Sequence, residues 1–278
     1  MSLLTETRAD TLPPNEISDE LAPTIAELGL EETCRQLVEE GYAVIENVSS
    51  SEFNERLREA ILRVVKPVQV TGKAGGMNML LLKDPLFGEA IINPKLMAMA
   101  EFSVGRGYLI SQVTSTVTPQ GAGGYGLHAD QVWLPAPFSE HNMNLTFCWV
   151  TDGYSAEQGA TMIVPGSHRL RRHPTHAEME ARAGAIPIEC PPNSVAMWDG
   201  RAWHSSSPRT APGERVVCHI SCSRLAMRVV ENYSAHADEL IERHGERMAQ
   251  LLGSNDSLDS PTGFRYENAV ETFNNSRI

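Results

Sequence analysis

Gly123-Gly124-Tyr125-Gly126-Leu127-His128-Ala129-Asp130-Gln131-Val132-Trp133 is a glycine-rich turn running into a short extended segment. His128 and Asp130 stand two positions apart in it. Residues i and i+2 of a β-strand share a face, so imidazole and carboxylate are predicted to project side by side. A histidine and a carboxylate on one face, joined by a second histidine from elsewhere, make the facial triad of non-haem iron(II). The fold therefore has to be strand-rich here and has to deliver that second histidine.

The surrounding chain reads as mainly β with flanking α. Tyr108 to Thr118 is rich in β-branched residues, and further strands are expected at Asn144–Thr151, Thr161–Pro165, Ile186–Glu189, Ser194–Trp198 and Arg215–Ser223. Turn signals separate them, among them Asp152-Gly153, Pro165-Gly166 and Pro212-Gly213. Short strands with such punctuation predict an antiparallel jelly roll, a double-stranded β-helix of the cupin-like kind, over about residues 106–225. Upstream, Glu31–Glu40 has helical spacing, Gly41 stops it, and Tyr42–Val48 reads as a strand. Ser50 or Ser51 caps the next helix. A glycine-rich loop leads to an expected buried strand from Met77 to Leu82, and 84–105 is helical with a break near Asn93-Pro94. Ala235–Leu252 reads as one final amphipathic helix. Residues 1–22 are expected to be a polar lead-in, 23–253 a single domain, and 254–278 a tail.

Composition narrows the partners. The 278 residues carry 21% charged and 41% hydrophobic side chains, ordinary for a globular protein able to bury a core without staples. A net charge of −12 argues against nucleic acid and against an anionic membrane surface. The five cysteines are scattered, with no CxxC pair, and read as reduced thiols. Neither a charged leader with an apolar run nor a span of about 18 apolar residues is found, so a cytoplasmic protein is expected. The partner expected is a small molecule; monomer and homodimer both stay open.

Three later segments bear on the opening pair. Trp198-Asp199-Gly200-Arg201-Ala202-Trp203-His204 brings a histidine out of a short turn. Arg215 lies eleven residues past His204, a distance that allows the chain to turn at Pro212-Gly213 and return beside the first strand. Pro165-Gly166-Ser167-His168 ends another strand in a tight turn.

With these motifs in this order, the chain from about Tyr42 to Arg224 resembles the phytanoyl-CoA dioxygenase family of iron(II)/2-oxoglutarate oxygenases. The resemblance implies that His128, Asp130 and His204 ligate iron(II), and that Arg215 anchors the far carboxylate of the cosubstrate 2-oxoglutarate, with O2 as oxidant. Arginine suits that task because its fork is always charged and bidentate. Gln112, seven residues before Pro119, looks like the pocket-lining strand glutamine of the family's ectoine hydroxylases. Related halogenases replace the carboxylate at Asp130 by a small residue, so its presence argues against halogenation, and hydroxylation is the default outcome the resemblance implies, with other oxidations left open. Where the family commonly has Glu-Asn-Gly, this chain has Glu157-Gln158-Gly159, away from any ligand position.

Other residues have competing readings. Trp133 is either a pocket wall on a lid over Val132–Glu140 or a packing residue, and Met77, Asn78 and Met79 are taken as apolar substrate contacts. His168 reads as a turn residue with local hydrogen bonds, His173 and His176 as a solvated loop, and His219 as a core or pocket histidine. Cys218 and Cys222 read as packing residues on one strand face, and Arg169, Arg171 and Arg172 as a solvated basic run. The opposing functional reading is a jelly-roll isomerase, hydrolase or binding protein with another metal, or a pure interaction module. Arg215 discriminates, since those have no 2-oxoglutarate to hold.

Overall fold

The fold of residues 16–254 is given by a computed structural model. The rest of the expected lead-in and the tail from 255 on lie outside the described residues. Five helices and two short strands come first: α1 (Ala22–Leu28), α2 (Glu31–Glu40), β1 (Tyr42–Ile45), α3 (Ser51–Val65), β2 (Gly75–Met77), α4 (Pro85–Ile91) and α5 (Pro94–Val104). The strands β3 (Leu109–Pro119), β4 (Tyr125–His128), β5 (Asn144–Val150) and β6 (Thr161–Ile163) follow. After them come α6 (His176–Ala181), β7 (Ile186–Pro187), β8 (Ser194–Asp199), β9 (His204–Ser206) and β10 (Glu214–Ser223), then α7 (Ala237–His244) and α8 (Glu246–Leu251).

The strands form two antiparallel sheets, one ordered β1-β8-β5-β10-β3-β2 and the other β4-β9-β6-β7. This is the expected open jelly-roll core with flanking helices. Strand alternation assigns the two faces of the large sheet. Val113, Val117, Phe147, Trp149, Met197, Val216 and Ile220 pack outward with the helices in the main core. Cys148, Val150, Ala196, Trp198 and Val217 pack inward with Ile163 and Ile188 from the small-sheet side. Cys218 and Cys222 both lie in the helix-side core, as expected of packing residues.

Local chemistry explains the helix starts. Ser50 accepts from the Phe53 N–H, and Asp84 and Asn93 cap α4 and α5, each with proline in the first turn. Two expectations are corrected. The run from Met77 to Leu82 is not a buried strand: pairing stops at Met77, Met79 is left-handed (φ 54°), and Leu80–Leu82 form a 3-10 turn. Leu80 and Leu81 are buried all the same, so an apolar run alone did not distinguish strand from turn. The Met79 N–H and the Val113 N–H both donate to the buried Glu231 carboxylate, which fixes this turn against β3. The final helix is two, because Gly245 (φ 82°, ψ −171°) ends α7 and begins α8.

One buried ion pair organises the loop side. Arg201 donates to Asp199, with side chains only 4% and 6% exposed, and also to the Ser139 and Glu140 carbonyls. The Asp199-Gly200-Arg201 turn requires its glycine, since an added Cβ would sit 2.6 Å from the Asn144 carbonyl oxygen. Arg201→Ala is expected to cost about 3–5 kcal/mol, because it leaves the buried Asp199 carboxylate without a counter-charge, only the backbone N–H of residue 201 still donating to it. Thermal unfolding should show this as a fall of roughly 10 °C.

Candidate active site

β4 and β9 pair so that His128 and His204 are directly opposite, with ring centroids 4.2 Å apart. β9 is only three residues long, too short for its residues to show a strand period. β4 ends at His128, so Asp130 arrives through the following turn and not by continued strand alternation. Its Oδ1 lies 3.7 Å from His128 Nε2 and 3.4 Å from His204 Nε2. Ligand atoms of all three side chains fall within 4.8 Å of one another.

Hydrogen bonds fix the orientation of each group. The Nδ1 atoms of His128 and His204 face the carbonyls of Gly126 (2.9 Å) and Ala202 (3.1 Å), which directs both Nε2 atoms to the centre of the cluster. Asp130 Oδ2 accepts from Thr146 Oγ1 (2.8 Å) and Trp198 Nε1 (2.9 Å), and Thr146 is backed by Ser221 Oγ at 3.2 Å. With Oδ2 occupied twice, Oδ1 is the oxygen presented to a metal. Burial opposes charge on Asp130, yet His204, Thr146 and His128 hold its carboxyl well below the usual range. Burial opposes charge on His204, but Asp130 outweighs it and raises that pKa; His128 is pushed down by burial and by His204. Two neutral-capable imidazoles and one ionised oxygen suit an octahedral dication with one face left open.

The sequence did not reveal Thr146, Trp198 and Ser221. They stand side by side across adjacent strands, Ser221 opposite Thr146 and Thr146 opposite Trp198, a register that only the sheet order shows. Trp198→Phe and Thr146→Val are each expected to weaken metal binding about 10- to 100-fold, the range for groups that orient a ligand. A Co(II) titration followed by absorbance checks this.

Arg215 opens β10 on the inner face and is 8% exposed. β10 pairs with β3 and β5 in the large sheet, while β9 belongs to the small one. The expected return beside the strand of His204 is therefore corrected: Arg215 and His204 belong to opposite sheets of the jelly roll. Its guanidinium donates to Thr118 Oγ1 (3.3 Å) and lies 5.8 Å from the Tyr154 ring centroid. No carboxylate among the described residues pairs with it, and its buried Nε has no partner. Gln112 is half-buried on β3 opposite Ser221.

The tentative substrate residues Met77, Asn78, Met79 and Trp133 stay outside the three-residue cluster. Met77 and Met79 pack partly buried on the helix-side core, and Asn78 is exposed. Trp133 is 71% exposed, so it is not a packing residue. His168 does more than cap its turn: its Nε2 faces the Val38 carbonyl at 3.0 Å, pinning the Pro-Gly-Ser-His turn to α2. Ser167 Oγ in turn accepts from the Trp203 N–H, next to His204. His173 faces the Leu134 carbonyl, and His176 pairs with Glu180 at the surface.

Residues 37–217 match the family described as phytanoyl-CoA dioxygenase (PhyH). The chain belongs to the phytanoyl-CoA dioxygenase family. It is thus a 2-oxoglutarate-dependent non-haem iron dioxygenase, with iron and 2-oxoglutarate as its cofactors. Among PhyH-related proteins, the dioxygenase af480 of Aspergillus fumigatus is 28% identical over 174 residues, covering 61% of this chain and 55% of that protein. An uncharacterized protein of Mycobacterium tuberculosis is 23% identical over 234 residues, 77% of this chain and 82% of that protein. The PhyH fold is shared with EctD from S. alaskensis, solved with 2-oxoglutarate and 5-hydroxyectoine (TM-score 0.63, 18% identity, 80% of this chain and 83% of that one). It is shared also with HygX from Streptomyces hygroscopicus, solved with nickel and 2-oxoglutarate (TM-score 0.61, 14% identity, 72% and 89%). No described helix is long and apolar enough to cross a membrane.

Proposed function

We propose that His128, Asp130 and His204 hold iron(II), that Arg215 with Thr118 grips the far carboxylate of 2-oxoglutarate, and that the enzyme hydroxylates an unactivated C–H bond of a small, partly apolar metabolite. O2 is consumed, and succinate and CO2 are released. The supporting observation is the Arg215 guanidinium, buried on the inner face with no carboxylate of the described residues to neutralise it. An uncompensated buried cation is costly, and a dicarboxylate cosubstrate is the natural counter-charge. An isomerase or hydrolase on the same triad would leave that charge unexplained.

When bound, the metal and cosubstrate supply the oxidising power for C–H cleavage. The protein's part is positional. His128 and His204 are locked by their carbonyl partners, Asp130 is held to one coordinating oxygen, and Arg215 aligns the cosubstrate from the opposite sheet. Arg171 is engaged with the Phe138 carbonyl and Glu140, and Arg172 with Glu178, so this run serves the fold. Together with the net charge of −12, this favours a free metabolite over a CoA thioester.

The test is succinate release with iron(II), 2-oxoglutarate and O2 across a panel of free metabolites, with products identified by mass spectrometry. Anaerobic iron(II) and 2-oxoglutarate should give a visible charge-transfer band. Purified protein holding zinc, with no such band after iron loading, would overturn the reading.

A further inference from the structure

His219 is an inward-facing histidine that the chemistry above leaves unused. It lies on β10 four residues from Arg215, opposite Cys148 of β5 and Thr114 of β3. Two chains of contact locate it. On one side its ladder partner Cys148 places Sγ 3.6 Å from Tyr154 Oη, and the Tyr154 ring lies under the Arg215 guanidinium. On the other side its ring meets Trp198 edge-on at 6.4 Å, and Trp198 donates to Asp130. His219 therefore stands between the proposed cosubstrate anchor and the triad.

Its ring is half-buried, and no described residue hydrogen-bonds either nitrogen. It also stays outside the three-residue metal cluster. Neither nitrogen is sealed off from the space between the sheets, so the ring can donate to a ligand that enters there. Burial and the nearby Arg215 push its pKa down to about 4, so the ring is neutral near pH 7 and carries one N–H donor. A neutral donor beside a guanidinium adds a hydrogen bond to a carboxylate without like-charge repulsion.

We propose that His219 donates a ring N–H hydrogen bond to 2-oxoglutarate held between Arg215 and the triad, and so shares with Arg215 the binding of that cosubstrate. This inference rests on the assignment of Arg215 above. It makes His219 a cosubstrate-binding residue and not a metal ligand.

The experiment compares His219→Phe, His219→Gln and Arg215→Met, each loaded anaerobically with Co(II) and titrated with 2-oxoglutarate by calorimetry. His219→Phe should weaken 2-oxoglutarate about 10- to 100-fold, as befits a lost hydrogen bond to a charged group, while Co(II) affinity is unchanged. His219→Gln retains a donor and should stay within about threefold of the natural protein. If Arg215→Met weakens binding and His219→Phe does not, the proposal is overturned and the anchor stands. If Arg215→Met has no effect either, the anchor reading itself fails. A second readout needs no variant. In 15N-histidine spectra of the Zn(II)-loaded protein, 2-oxoglutarate should slow exchange of one His219 ring N–H, and an unaltered His219 signal at saturation overturns the proposal.

Discussion

Asp130→Asn is expected to fold and to lose turnover. The amide oxygen can still accept from Trp198 Nε1 and Thr146 Oγ1, so the hydrogen bonds that seat the side chain survive. What disappears is the negative charge that Oδ1 presents beside His128 and His204. Metal affinity should fall by more than about a hundredfold, beyond the range for groups that merely orient a ligand. Asp130→Ala goes further and leaves the Trp198 donor without an acceptor. Co(II) titration and succinate release measure the two effects separately. An Asn variant with wild-type turnover would remove Asp130 from the metal site.

Arg215→Met is expected to do the opposite of most core substitutions. Without cosubstrate the variant should be at least as stable as the natural protein, because it removes a buried cation that no described carboxylate compensates. With cosubstrate the order reverses. The natural protein gains about 2.7 kcal/mol when 2-oxoglutarate is present at a hundred times its Kd, and the variant should gain almost nothing. Its KM for 2-oxoglutarate should rise about 100-fold while metal affinity holds. Arg215→Lys should recover only part of the loss, since an ammonium cannot reproduce the fork geometry. Thermal shift with and without 2-oxoglutarate reads both signs at once; a variant stabilised normally by the cosubstrate would refute the anchor.

The residues that carry charge or metal-binding capacity were legible from sequence, because few side chains do that work and their order is distinctive. His128, Asp130 and His204 lie together in space, and Arg215 lies inside the same roll. Sequence alone was weaker on everything set by strand register. Thr146 and Ser221 are ordinary strand residues until one knows that β5 and β10 are neighbours. The three-residue β9 carries no periodicity to read. An apolar run misled where Leu80 and Leu81 are buried from a turn; of the two readings of Trp133, its exposure removes core packing. Met77 and Met79 looked like pocket lining because methionine suits either a pocket or a core, and here the helix-side core holds them.

The segment after Asp130 has a closed neck. Gln131, almost fully buried, donates to Asn142 Oδ1, and Asn142 donates on to Ser103. Beyond that neck, Val132, Trp133, Pro135, Ala136 and Pro137 are exposed, and the Phe138, Ser139 and Glu140 carbonyls are clasped by Arg171 and Arg201. Inheritance can therefore rewrite the five exposed positions, 132, 133, 135, 136 and 137, without disturbing the clasp or the carboxylate one residue before the neck, while Leu134 stays packed against Ala129 and Phe138. Such a separation lets a lineage vary an exposed strap while the residues that seat Asp130 stay constant.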